Sequence, residues 1–347
     1  MKTAFITGVT GQDGSWLAKL LIDKGYHVIG GVRRLSIPNY SNLNKLKILD
    51  HLEIIDFELT DQYRIIEIIS KYKPDEVYNL AANSFVSSSF ITPIEILKMN
   101  GESVLYLLEA IRMFSPETKF YQASTSEMFG KVQEIPQTEN TPFYPRSPYG
   151  VAKLLAHWTV VNHRESYGLF ATSGILFNHE SELRGPEFVT RKISMHAASW
   201  ADNKTGKVLE IGNLNSKRDW GYAKEYVEGM WKILQATEAD TFVLATGVTT
   251  TVRDFVRLAF KVVGREIEFQ NENENEIGID KSSGEILVKV NPKYYRPAEV
   301  ELLIGNAEKA NKILGWKAET NLEELTKIMV QNDIELFKSG KQLDFAK

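Results

Sequence analysis

Gly8, Gly11 and Gly14 stand three residues apart where a short apolar run, Thr3–Thr7, ends and an amphipathic stretch begins. No other feature constrains the fold as strongly. A glycine-rich turn between a strand and a helix brings bare backbone up to a ligand and aims a helix N-terminus at it, an arrangement suited to a pyrophosphate. Trp16, Leu17, Leu20 and Leu21 repeat at helical spacing within residues 14–24, Gly25 closes that helix, and residues 26–32 read as a second strand. The chain therefore opens on a strand-turn-helix-strand unit.

The alternation continues with strands at residues 52–55, 76–80, 119–123, 169–177 and 241–245. The helices between them are expected at 63–71, within 93–113 and at 148–167. Repeated alternation implies an α/β fold, a Rossmann-type doubly wound parallel sheet with its ligand site at the carboxyl ends of the strands. After Asn178 the pattern loosens into charged loops between helical pieces, as in a smaller, interleaved C-terminal substrate-binding lobe. The expected division is residues 1–178, with returning segments about 222–250, for the nucleotide-binding domain, and 179–221 with 251–347 for the second lobe. The Asn/Glu alternation at 271–276 reads as a solvated turn.

With 347 residues the chain can bury a large core, and a net charge of −4 gives no general reason to bind nucleic acid. Cysteine is absent, which excludes disulfides, thiolate metal sites and thiol nucleophiles. No metal site is expected from six scattered histidines. The first apolar stretch is too short for a signal peptide or a membrane span, so no membrane is expected and a cytoplasmic location is.

Gly8, Thr10, Gly11, Gln12 and Asp13 are the expected dinucleotide contacts. Where an NAD site usually carries an acid after the second strand, this chain has Arg33 and Arg34. Two guanidinium groups suit a 2′-phosphate, so NADP is the expected cofactor. Glu58 and Leu59 after the third strand are expected near adenine, and Leu80, Ala82 and Ser84 after the fourth along the cofactor.

Tyr149 and Lys153 are four residues apart, so one helix turns both toward the same cleft. The lysine's charge would lower the phenol's pKa, leaving a tyrosinate able to take a hydroxyl proton. Thr125 would hydrogen-bond the same substrate oxygen. Glu127 adds a carboxylate that a plain dehydrogenase does not need, but removal of a carbon-bound proton with loss of water does. Read blandly, Ser124 to Ser126 cap a short helix and Glu127 is a surface acid.

These residues, with Phe120 to Gly130, Lys131 to Lys153, Gly174 to Ser181, Phe188 to Ile193, Lys217 to Gly221 and Tyr294 to Pro297, resemble the GDP-mannose 4,6-dehydratases almost end to end. That family is a branch of the extended short-chain dehydrogenase/reductases and includes relatives acting on GDP-D-glycero-D-manno-heptose. The resemblance implies a redox-neutral lyase cycle. Tyr149 takes the O4 proton as C4 is oxidised, Glu127 removes the C5 proton and helps the C6 hydroxyl leave, Thr125 polarises O4, and the hydride returns to C6. Lys153, His179 and Arg184 would touch the cofactor. Ser126, Asn178, Val189, Lys192, Arg218, Arg296 and Glu299 would hold the GDP-sugar, the arginines on its diphosphate. Family members commonly form homo-oligomers, but Leu35 to Asn42 replaces the arm that supports a tetramer, which favours a homodimer over a homotetramer. Phe85 stands where a histidine is common and would border the sugar pocket. A related epimerase or 4-reductase would need Tyr149 and Lys153 but not Glu127, and a silent NADP-binding sensor would need neither.

Overall fold

Within Thr3–Thr7 the side chains of Ala4 and Ile6 turn to one face and that of Phe5 to the other, and all three are fully buried. A strand buried on both faces belongs inside a covered parallel sheet. The computed structural model describes residues 1–203, 206–295, 300 and 302–340. Its strands are β1 (Thr3–Thr7), β2 (His27–Val32), β3 (Glu53–Asp56), β4 (Glu76–Asn79), β5 (Lys119–Thr125), β6 (Ala171–Leu176), β7 (Asn178–Glu180), β8 (Leu209–Ile211), β9 (Lys217–Tyr222), β10 (Thr241–Leu244), β11 (Thr249–Thr251), β12 (Ile267–Gln270), β13 (Ile277–Asp280) and β14 (Ile286–Val290). Its α-helices are α1 (Gln12–Asp23), α2 (Ser41–Lys45), α3 (Gln62–Tyr72), α4 (Pro93–Leu97), α5 (Ser103–Phe114), α6 (Pro148–Tyr167), α7 (Val189–Ser199), α8 (Ala223–Gln235), α9 (Val252–Val262), α10 (Glu308–Leu314) and α11 (Leu322–Lys338).

Seven strands form one parallel sheet in the order β10-β6-β5-β4-β1-β2-β3. Helices α1 and α8 cover the Ala4 face through Trp16, Leu17, Leu21, Val227 and Met230. Helices α3, α5 and α6 cover the Phe5 face through Ile65, Leu107, Ile111 and Val160. The chain winds outward from β1 in one direction and from β4 in the other, so a crevice opens between their carboxyl ends. This is the expected doubly wound fold.

The helix expected within 93–113 is broken. Residues Lys98–Glu102 form a π-helical turn between α4 and α5. Such bulges recur at functional sites. Here the turn carries Asn100, whose side chain accepts from the Asn83 amide (3.0 Å) and donates to the Asn83 carbonyl (2.9 Å). It thereby fixes the loop leaving β4.

The second lobe has its own apolar core, built from α7, α9, α11 and the four-stranded sheet β12-β13-β14-β8. A three-stranded sheet, β11-β9-β7, lies where the chain passes between the lobes, and α8 with β10 returns to the first. Ala310 of α10 and Trp316 also pack in the first lobe's core, Trp316 donating to the Glu225 carbonyl at 2.8 Å. The polar run 271–276 does turn between β12 and β13, but Glu276 is buried and paired with Arg253 rather than solvated. Among the described residues no helix is long and apolar enough to cross a membrane, and no group of three acidic or histidine side chains is placed to hold a metal ion.

Candidate active site

The crevice is framed first by Thr7. Its hydroxyl accepts from the amides of Leu80 and Ala81, both at 3.0 Å, and donates to Asn79 at 2.7 Å, which ties the exit of β1 to the exit of β4. Gly8 follows at φ +70, and a Cβ there would lie 2.8 Å from the Ala81 backbone. Only glycine satisfies both conditions. Gly11 begins α1 without a side-chain cap, which leaves the first amides of that helix for a ligand. The Thr10 carbonyl accepts from Asn42 of α2 at 3.1 Å. Arg33 and Arg34 emerge exposed from β2. Glu58 is half-buried, whereas the Leu59 side chain is in the core with Phe57, so Leu59 can offer a ligand its backbone only. Leu80 and Ala82 are half-buried and Ser84 is exposed on the crevice loop.

The second wall comes from β5 and α6. Strand β5 runs two residues farther than expected, to Thr125, whose hydroxyl accepts from the Glu127 amide at 3.3 Å and so caps the 3₁₀ turn Ser126–Met128. The capping reading of the Ser-Thr-Ser run is thus realised together with the placement of Glu127. Across from it, Ser147 caps α6 by accepting from Gly150 at 3.0 Å, and Pro148 fills the first helical position. Gly150 permits the close approach, since a Cβ there would sit 2.8 Å from the Glu127 carbonyl. Tyr149, Lys153 and Glu127 are all buried, at 7%, 3% and 8% exposure, and so is Ser126.

Lys153 donates to the Ala123 carbonyl at 3.0 Å, with its ammonium 6.0 Å from the centre of the Tyr149 ring. Burial lowers the lysine to about 8, against the attraction of Asp13. Burial pushes the Tyr149 phenol above its ordinary range, a hydrogen bond with Thr125 draws it back, the Glu127 carboxylate raises it and the Arg184 charge lowers it. Thr125, Glu127 and Arg184 therefore all act on the Tyr149 phenol, whereas Lys153 is coupled to Asp13, and burial leaves the phenol raised rather than lowered by the lysine as the sequence suggests. His157, one further turn along α6, escaped the sequence reading. Its Nδ1 lies 3.1 Å from the Ser124 hydroxyl, and burial lowers it to about 4. The spacing of four from Lys153 was the available signal.

His179 and Asp13, 166 residues apart, meet at 2.8 Å. The other ring nitrogen of His179 faces the Phe177 carbonyl at 2.7 Å, and the ring stacks on Tyr226 at 4.5 Å. Hydrogen-bond acceptors on both sides favour the imidazolium. Burial works to lower His179, but Asp13 prevails and holds it above its ordinary value of 6.5. Burial likewise works to raise Asp13, and His179 prevails to hold it below 3.8. The pair's stabilisation is complete below about pH 6.5 and fades as pH climbs through the raised histidine value. At the acid end it fades as pH falls through the depressed Asp13 value. His179→Asn is expected to lower the thermal midpoint more at about pH 6 than at about pH 9. An equal loss at both would contradict the pairing.

Of the other residues expected to hold the sugar nucleotide, Asn178, Val189, Lys192 and Arg218 lie among the described residues. Asn178 begins β7, and its buried Oδ1 has no hydrogen-bond partner among the described residues. Val189 opens α7, and the Lys192 ammonium sits 3.7 Å over the Tyr294 ring. Arg218 is buried and donates to the Val300 carbonyl at 2.7 Å. Its neighbour Asp219 accepts from the Thr246 amide and hydroxyl and from the Gly247 amide. Arg296 and Glu299 lie outside the described residues.

The family model for GDP-mannose 4,6 dehydratase matches residues 5–329. The chain is 49% identical over 348 residues to the GDP-mannose 4,6-dehydratase of Sinorhizobium fredii, covering 98% of this chain and 99% of the relative. It is 48% identical over 345 residues to the human GDP-mannose 4,6 dehydratase, covering 97% and 92%. Among solved structures, a dTDP-glucose 4,6-dehydratase from Bacillus anthracis in complex with NAD shares the fold with a TM-score of 0.79, at 18% identity over 96% of both chains.

Proposed function

The chain belongs to the GDP-mannose 4,6-dehydratase family, a family of hydro-lyases, and on that premise we propose that it dehydrates a GDP-manno sugar to the GDP-4-keto-6-deoxy sugar with NADP as cofactor. The sugar is GDP-D-mannose or its relative extended at C6, GDP-D-glycero-D-manno-heptose. One observation carries this reading: a buried carboxylate, Glu127, stands on the turn directly after Thr125 and acts on the Tyr149 phenol. Oxidation or reduction at C4 alone requires no such second acid/base group.

The residues around the glycine turn fit a phosphorylated dinucleotide, with uncapped amides at the start of α1 and two exposed arginines after β2 where a 2′-phosphate would lie. Held there, NADP would supply the hydride chemistry of the cycle, acceptance from C4 and return to C6. All other steps fall to the chain's own residues. Tyr149 accepts the O4 proton while Thr125 donates to the same oxygen, and Lys153 keeps positive charge beside the phenol. The resulting ketone makes the C5 proton acidic. Glu127 removes it, and the C6–O bond breaks as the hydroxyl leaves with that proton as water. The phenol then returns its proton to C5 as C6 is reduced. In this reading Asn178 and Arg218 hold the nucleotide-sugar, a role that the orphaned Asn178 Oδ1 supports.

Purified protein given GDP-mannose or the manno-heptose, with NADP and no reductant, should form the 4-keto-6-deoxy product. Product that appears only with stoichiometric NADPH points instead to a reductase. A cytoplasmic homodimer completes the reading: Val151, Leu155 and Trp158 form an exposed apolar stripe on α6 suited to a second copy, and the particle mass in solution tests it.

A further inference from the structure

Two aromatic side chains reach across the crevice from opposite lobes. Phe85 comes from the loop after β4 and Phe188 caps the N-terminus of α7, and their rings meet edge to face at 6.1 Å and 86°. Neither is left to drift. The Ser88 hydroxyl donates to the Phe85 carbonyl at 2.7 Å, and Asn100 clamps Asn83 two residues earlier. On the other side the Arg184 guanidinium lies 3.5 Å over the Phe188 ring. Buried Glu180 holds that loop shut, lying 3.1 Å from Arg184 and accepting from Thr190 at 2.6 Å.

Both ends of this stack lead to Tyr149. Val86, the neighbour of Phe85, packs with Tyr149 in one apolar cluster. Arg184, stacked on Phe188, is close enough for its charge to act on the phenol. The pair therefore spans the cleft beside Tyr149, the residue that would meet O4. An edge-to-face aromatic pair is a defined contact with little slack, and an apolar wall of this kind discriminates by the room it leaves.

We propose that Phe85 and Phe188 form an interlobe clasp that determines substrate specificity by closing the space beyond C6 and favouring the shorter sugar. The inference rests on the GDP-manno-sugar reading above. Its test compares GDP-mannose with GDP-manno-heptose as substrates of the wild type, Phe85→Ala, Phe188→Ala and the double variant. Phe85 is partly exposed, so its truncation leaves the core intact, and NADP affinity is expected to stay within about twofold in that variant. Each single variant should raise the heptose-to-mannose ratio of kcat/KM by about 10-fold, the lower end of what one carbon is worth in a pocket. The double variant should add little, because either truncation already opens the pair. Phe188→Leu, which keeps apolar bulk and spares folding, should stay near the wild-type ratio. A merely structural role would depress both substrates together and leave the ratio unmoved. An unmoved ratio, or single effects that multiply in the double variant, overturns the clasp while leaving the dehydratase reading intact. Wild-type protein that converts neither sugar overturns both.

Discussion

Glu127→Gln is expected to fold normally, bind its cofactor and lose dehydration by about 10²–10⁴-fold, the usual contribution of a positioned acid/base group. The structure explains why fold and chemistry separate here. What holds the turn is the amide of residue 127 donating to Thr125, and the close fit is its carbonyl against Gly150; neither depends on the side chain. Glutamine keeps the shape and loses the ability to take a carbon-bound proton. Oxidation at C4 precedes that step, so reduced nicotinamide should build up with substrate and persist. A variant with near wild-type turnover would remove Glu127 from the chemistry.

Tyr149→Phe should lose a similar factor, about 10²–10⁴-fold, but at an earlier point. Without the phenol the O4 proton has no acceptor, and no reduced nicotinamide should appear at any time. The stability cost should be modest, about 1 kcal/mol, because the ring keeps its packing with Val86, Ile96 and Ala152 and one hydrogen bond to Thr125 is lost. The two variants thus divide the cycle, one blocked before oxidation and the other after it. Reduced cofactor accumulating in Tyr149→Phe would contradict the assigned order.

The parts legible in the sequence were those fixed by local rules. The continuous apolar run of β1, the glycine turn and the four-residue spacing of Tyr149 and Lys153 are short-range patterns, and each stands where expected. The parts not legible depend on distant partners. The π-helical turn at Lys98–Glu102 has no signature in its own residues, and its purpose emerges only through Asn100 reaching Asn83. Strands such as β9 carry Lys, Arg and Asp because Asp219 is satisfied by the remote amides of Thr246 and Gly247, so their apolar alternation is masked. Asp13 and His179 are each expected at a cofactor, and their binding to one another is visible only in the structure. Phe85 stood out as an unusual residue at the pocket. Its counterpart Phe188 could be recognised only once the lobes were folded together.

The central claim is a redox-neutral cycle in which the hydrogen removed from C4 is the one delivered to C6. It is tested most directly with GDP-mannose deuterated at C4, or the manno-heptose labelled in the same way, given to the wild-type protein with NADP and no added reductant. The account predicts a 4-keto-6-deoxy product carrying deuterium at C6. Product without the label, or label that remains at C4 after turnover, would contradict it.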